Sequence, residues 1–217
     1  MSVRNEVTQM KETAPLLASS KEEIRNEALR RIIETLKSRK EEIFEANRKD
    51  REAARRDHIA PAVMKRLLFD EEKLESLVSG LEQLIRLPDP VGHITLAREL
   101  DAHLKLYRVT CPIGVIGIIF EARPDALVQI SALCIKSANC AILKGGKETK
   151  ETNRILFSLI HEAAVSAGLP EKAWLQAEQH SEIDELLQCD GLVDLLIPRG
   201  SNEFVRYIMD HTKIPVM

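Results

Sequence analysis

The chain has 217 residues, enough to bury an adequate core as one large domain or two small ones. It is 44% apolar and 30% charged, and its formal net charge of -3 gives no electrostatic reason to expect nucleic acid as a partner. The opening MSVRNEVTQMKE lacks an apolar signal segment and no apolar run reaches the ~18 residues of a membrane span, so the expectation is a cytoplasmic protein with no membrane partner.

Residues 1–90 hold a single glycine, Gly80, and 18 basic against 18 acidic side chains. Such a Gly-poor, charge-rich segment reads as successive amphipathic helices whose alternating charges are solvated faces. Ser20-Lys21-Glu22-Glu23 fits a capping box. Ile24, Ala28, Ile32 and Leu36 then recur every four residues, with Leu29 and Ile33 on the adjoining row. Ile43, Ala46, Ala53 and Ala54 continue the pattern more weakly. Pro61 suits the first turn of a short helix carrying Val63, Met64, Leu67 and Leu68. Asp70 is expected to cap another, through Leu74, Leu77, Leu81 and Leu84, that ends at Leu87-Pro88-Asp89-Pro90.

After Gly92 the period changes. His103 to Val109 alternates, as a half-exposed strand does. Ile113 to Ile119 is nearly unbroken apolar sequence, fitting a strand covered on both faces. Pro124 opens a helix through Leu127, Ile130 and Cys134, and Cys140 to Leu143 is the next strand. Thr149 to Ala167 reads as a helix stopped by Gly168. A short strand at Ala173 to Gln176, a short helix at Ile183 to Leu187, a strand at Val193 to Ile197 and a helix through Phe204, Val205 and Ile208 follow. The alternation predicts an α/β fold with a doubly wound, mostly parallel sheet behind an N-terminal helical layer. The expected division is residues 1–90 for the layer and 91–217 for a dinucleotide-binding α/β part of the same domain.

Ligands in such sheets bind outside the carboxyl ends of the strands, and three strand ends here carry polar chemistry. Gly145 and Gly146 let backbone approach a ligand, and Lys144 and Lys147 offer charge to phosphate or hydrogen bonds to ribose; the alternative is a surface turn with two solvated lysines. Gly200-Ser201 opens a helix whose free N–H groups suit a pyrophosphate, or forms an ordinary Ser cap. Glu121 and Arg123 flank another strand end and need partners, either a ligand or each other. The G-x-G-x-x-G fingerprint is absent, since Gly114 and Gly117 fall within a strand. Cys111, Cys134, Cys140 and Cys189 form no C-x-x-C pair and have no His at ligand spacing, so no metal site is expected and the thiols read as reduced, mostly buried residues.

The segments Pro112-Ile113-Gly114-Val115-Ile116-Gly117-Ile118-Ile119-Phe120-Glu121-Ala122-Arg123-Pro124 and Leu143-Lys144-Gly145-Gly146-Lys147-Glu148-Thr149 carry a resemblance. With Leu87 to Gly92, Gly168-Leu169-Pro170, Leu196 to Gly200, Ala46-Asn47, Asp50 and Arg66-Leu67, the chain resembles the first half of the glutamate-5-semialdehyde dehydrogenase (gamma-glutamyl phosphate reductase) family, within the aldehyde dehydrogenase superfamily. That resemblance implies a reductase of proline biosynthesis that uses NADP(H) to convert L-glutamyl 5-phosphate to glutamate 5-semialdehyde. It implies Lys144 on the adenosine ribose, with Gly145, Gly146 and Lys147 beside it, and Gly200-Ser201 under the pyrophosphate. Several NAD-using members of the superfamily carry a carboxylate three residues after that lysine, where this chain has the cation Lys147, which implies a preference for the extra phosphate. Ala122 aligns with an oxyanion-hole asparagine of many aldehyde dehydrogenases, so another donor is needed, and Arg123 is expected to meet the anionic substrate.

Relatives in that family run to roughly twice this length, and their nucleophilic cysteine lies beyond the position of Met217. The expectation is therefore a chain without its catalytic domain, with no catalytic residue of its own, inactive alone, and partnered by copies of itself or a complementing catalytic chain. The competing expectation is a non-catalytic interaction module that keeps the cofactor fold.

Overall fold

The computed structural model describes residues 2–179 and 181–217. Five helices open the chain: α1 (Val3–Ala18), α2 (Glu22–Ser38), α3 (Lys40–Arg56), α4 (Pro61–Leu67) and α5 (Glu71–Arg86). The first was not legible as a separate element. The spacing of α2 works as read, since Ala28, Leu29, Ile32, Ile33 and Leu36 are all buried. Its start does not. Lys21 occupies the N-cap without a side-chain bond, and the Ser20 hydroxyl donates backward to the Leu17 carbonyl at 2.6 Å, so no capping box forms. Pro61 stands at the start of α4, and Asp70 Oδ1 accepts the Lys73 N–H at 3.1 Å to cap α5.

Not all charges on these helices face water. Arg25 is 1% exposed, donating to the Lys136 carbonyl at 2.6 Å and to Asp89 Oδ2 at 2.7 Å. Lys136, also buried, donates to Glu22 Oε1 at 2.9 Å and Asn26 Oδ1 at 3.0 Å. Buried charges survive only when paired in this way. The pairs tie the start of α2 and the Leu87–Pro90 loop to the end of the helix that carries Lys136.

A hairpin follows, β1 (Ile94–Asp101) antiparallel to β2 (Leu104–Val109). The alternation in β2 predicted one covered face, but every residue of both strands is exposed. The polypeptide then builds β3 (Val115–Ile119), α6 (Pro124–Lys136), β4 (Cys140–Lys144), α7 (Lys150–Ser166), β5 (Trp174–Ala177), α8 (Ser181–Leu187), β6 (Leu195–Pro198) and α9 (Asn202–Asp210). The four strands β3–β6 form one parallel sheet in the order β5-β4-β3-β6. Every residue of β3 and β4 is buried, as continuous apolar runs require. Val216 adds a parallel bridge beyond β6, where Leu196 N–H donates to the Pro215 carbonyl at 2.8 Å.

The order reverses at β3. From there the chain steps outward to β4 and β5, then crosses back to lay β6 on the other side of β3. Helices α6 and α7 pack together on one face, with α2, α3 and α5 outside them. On the opposite face α1 packs against β3, β4 and α8. Lys11 fixes α1 there through Asp194, at 2.6 and 2.7 Å to its two oxygens, and Asp194 Oδ2 also accepts the Val115 N–H at 2.8 Å. The crevice outside the carboxyl ends of β3 and β6 is thus the switch point where such folds bind ligands.

Candidate cofactor cleft

Three loops converge above that switch point. Phe120 N–H donates to the Lys144 carbonyl at 2.9 Å and Arg199 N–H to the Ile119 carbonyl at 2.8 Å, so the ladder holds the ends of β4, β3 and β6 level. The loops enclose a cleft of about 460 Å³. Lys144, Gly145, Gly146, Lys147, Gly200 and Ser201 all line it, together with Glu121. Arg123 does not.

The lysine loop is packed closely against its own chain, and only glycine fits at two of its positions. A Cβ on Gly145 would lie 2.1 Å from Asn153 Nδ2, and one on Gly146 would lie 3.2 Å from the Ala122 nitrogen. Asn153 is buried and held by its bond to Thr149 Oγ1 at 2.8 Å. Beneath the loop, Asp50 of α3 acts as a remote cap for α7: its carboxylate accepts Glu151 N–H at 3.0 Å, Thr152 N–H at 2.8 Å and the Thr152 hydroxyl at 2.6 Å. Burial pushes the Asp50 carboxyl up, against the pull of those three donors. Asn47, one turn earlier, donates to the Leu67 carbonyl at 2.7 Å and accepts Phe69 N–H at 2.9 Å, which fastens α4 and the start of α5 to the same platform. Reading the α3 charges as solvated missed the burial of Asp50, whose partners lie in a distant element.

Lys144 is 6% exposed, and among the described residues its ammonium donates to the Gly145 carbonyl alone, at 2.8 Å. Burial lowers its pKa, with Glu182, Glu148 and Glu178 opposing that shift. An ammonium carries three donors, so this one retains hydrogen-bonding capacity toward the cleft. Lys147 is exposed. Ser201 is the N-cap of α9, its hydroxyl accepting Phe204 N–H at 3.2 Å, and it also stands at the cleft mouth. Ile183 and Phe204 add apolar wall, and Arg66 and Arg199 add cations that the spacing of motifs did not single out. Arg199 was findable as the last residue of the β6 strand end; Arg66, on α4, comes from too far away.

Glu121 and Arg123 do not pair with each other. Arg123 Nη2 binds Asp125 Oδ2 at 2.7 Å, which raises the guanidinium pKa, and Glu121 lies 3.9 Å from Arg66. Ala122 is buried with Ala54 and Leu67 in a small apolar cluster. Burial pushes the Cys134 and Cys140 thiols up to about 12. Cys189, also buried, is raised by burial with Arg4 opposing, a basic neighbour that the sequence did not suggest. Cys111 is exposed. Among the described residues no group of His, Cys, Asp and Glu is arranged to hold a metal ion, and no helix is long and apolar enough to cross a membrane.

No family model matches the chain. It is 51% identical, over 100% of its own length and 50% of the relative's, to the gamma-glutamyl phosphate reductase of Acetivibrio thermocellus. The crystal structure of the reductase of that name from Thermotoga maritima superposes with a TM-score of 0.94 at 30% identity, covering 100% of this chain and 53% of that one. The chain matches the amino-terminal half of gamma-glutamyl phosphate reductases. It spans about half the length of the curated relatives it matches. An NAD-dependent benzaldehyde dehydrogenase from Corynebacterium glutamicum shares the fold at a TM-score of 0.73 and 17% identity, covering 99% of this chain and 46% of that one. The chain therefore has the fold shared by gamma-glutamyl phosphate reductases and aldehyde dehydrogenases.

Proposed function

We propose that this chain is the NADPH-binding portion of a reductase that converts L-glutamyl 5-phosphate to L-glutamate 5-semialdehyde in proline biosynthesis. One observation carries the reading: a buried ammonium with one hydrogen bond among the described residues stands beside a tight Gly-Gly loop and a helix start, in a cleft at the sheet's switch point. Those residues fit a dinucleotide. Lys144 donates to a ribose hydroxyl, and Gly145 and Gly146 let the loop fold tightly against Asn153 and Ala122, which sets the Lys144 and Lys147 backbone at the cleft. The start of α9 at Gly200-Ser201 directs N–H groups at the pyrophosphate, and Lys147, three residues past Lys144, faces the 2′-phosphate that distinguishes NADPH from NADH. The bound dinucleotide supplies the hydride. The identity to reductases over the whole chain supports the substrate assignment.

The chain alone is inactive in this reading. An acyl transfer through a thioester needs a thiolate at the cleft; burial keeps Cys134, Cys140 and Cys189 protonated, and Cys111 precedes β3, at the end of the strand away from the cleft. The relatives' remaining length supplies the nucleophile. Calorimetric titration tests the assignment. Saturable binding of NADPH, tighter than NADH, with no turnover above a Cys-free variant, is expected. Equal affinities, or turnover that survives purification, contradict it.

A further inference from the structure

Beside the cleft lies a second recess of about 470 Å³, within the ~300–1,000 Å³ range of small-molecule sites. Four elements bring five cations to it: Lys65 and Arg66 from α4, Lys73 from α5, Arg123 from the N-cap of α6, and Arg199 from the end of β6. Only Glu121 in its lining is acidic, and Asp125 lies under the rim, 5% exposed. Asp125 Oδ2 takes Arg123, while Oδ1 is buried without a hydrogen-bond partner and its nearest cation, Lys73, is 4.0 Å away. Lys65 and Arg199 make no ion pair among the described residues. Five cations against two carboxylates leave a surplus of three positive charges in one concavity.

A solvated helix face does not produce that pattern, because here the cations converge from separate elements instead of spreading around one. Gathering them is unfavourable unless an anion compensates. The start of α6, with its positive dipole end, faces the same side and adds to the attraction. Three planar guanidinium forks, Arg66, Arg123 and Arg199, suit bidentate binding of phosphate oxygens, and Lys65 and Lys73 supply charge around them. The recess shares Arg66, Phe120, Glu121 and Arg199 with the cofactor cleft, so an anion in it abuts whatever fills the cleft.

We propose that this recess seats the phosphoryl group of the second substrate, a small phosphorylated carboxylic compound, while the dinucleotide occupies the cleft; the identity of that substrate rests on the reductase reading above. Lys65, Lys73 and Arg123 line the recess alone, and Lys144 and Lys147 line the cleft alone, so the two sites are separable by mutation.

The test is a phosphorus NMR titration of the 217-residue chain with inorganic phosphate, run at fixed ionic strength with and without saturating NADPH. Phosphate is expected to bind saturably and to stay bound when NADPH is present. Lys65→Ala with Lys73→Ala should weaken phosphate about tenfold or more, since each removes a bond to a charged acceptor, and should leave NADPH affinity unchanged. Lys144→Ala should do the reverse. Both recess lysines are at least partly exposed, so the fold is not at stake, and circular dichroism checks it. Displacement of phosphate by NADPH would make the recess a seat for the 2′-phosphate and overturn the proposal. So would phosphate affinity indifferent to Lys65 and Lys73. A chain that binds phosphate through those lysines yet fails to bind NADPH keeps the anion seat and sinks the reductase reading.

Discussion

Replacing Asp50 by alanine removes the acceptor that α3 lends to the start of α7. Three donors lose their partner: Glu151 N–H, Thr152 N–H and the Thr152 hydroxyl, at 3.0, 2.8 and 2.6 Å. Bonds to a charged acceptor contribute about 1.5–3 kcal/mol each when the partner is left buried. The sum overstates the loss, because burial already opposes the carboxylate and pushes its pKa up. Loss of an ordinary helix cap gives a lower bound of about 0.5–2 kcal/mol. A net destabilisation of about 2–4 kcal/mol follows, and at roughly 2–4 °C per kcal/mol for a chain of this size the Tm should fall by about 5–15 °C. Asp50→Asn keeps one acceptor oxygen without the charge and should lose about half as much. Thermal unfolding followed by circular dichroism reads both. The Lys144–Lys147 loop joins α7 at its start, so NADPH affinity should fall with Tm. An Asp50→Ala variant melting within about 2 °C of the parent would refute the account of this platform.

Other outcomes follow from the same geometry. Gly145→Ala drives a methyl onto Asn153 and should remove about 1–3 kcal/mol of stability together with NADPH binding; Gly80→Ala in α5, with open space around it, should instead stabilise by about 0.5–1 kcal/mol, as urea unfolding will show. Lys147→Glu should narrow or reverse the preference for NADPH over NADH in calorimetry. Because burial lowers the Lys144 pKa below the ordinary 10.5, its ammonium is lost at lower pH than that of a free lysine. NADPH binding should therefore weaken on the alkaline side, starting below that value, and Lys144→Gln should abolish this limb of the pH profile.

The strands and helices of the sheet were legible because apolar runs of four or five residues alternate with helical spacing, and each run ends in turn residues. The loops at Lys144 to Lys147 and Gly200-Ser201 were legible as strand ends, and they do meet in one cleft. What the sequence hid depends on partners far along the chain. Arg25 and Asp50 look like solvated helix charges, and Asn47 like a solvated amide, until α6, α7 and the Leu67–Phe69 segment close over them. Arg123 was expected to pair with Glu121 or to meet a ligand. Its observed partner is Asp125, two residues on, a contact set by the turn into α6. The alternation in β2 was real, yet alternation reports only that a strand has two unlike faces, and in this hairpin neither is covered.

An amide-resolved NMR titration with NADPH tests the central claim most directly. The account predicts saturable shifts concentrated at residues 144–147 and 199–204, with the exposed hairpin of residues 94–109 unmoved. Absence of saturable shifts, or shifts gathered on that hairpin, would contradict the assignment of this chain as a cofactor-binding half.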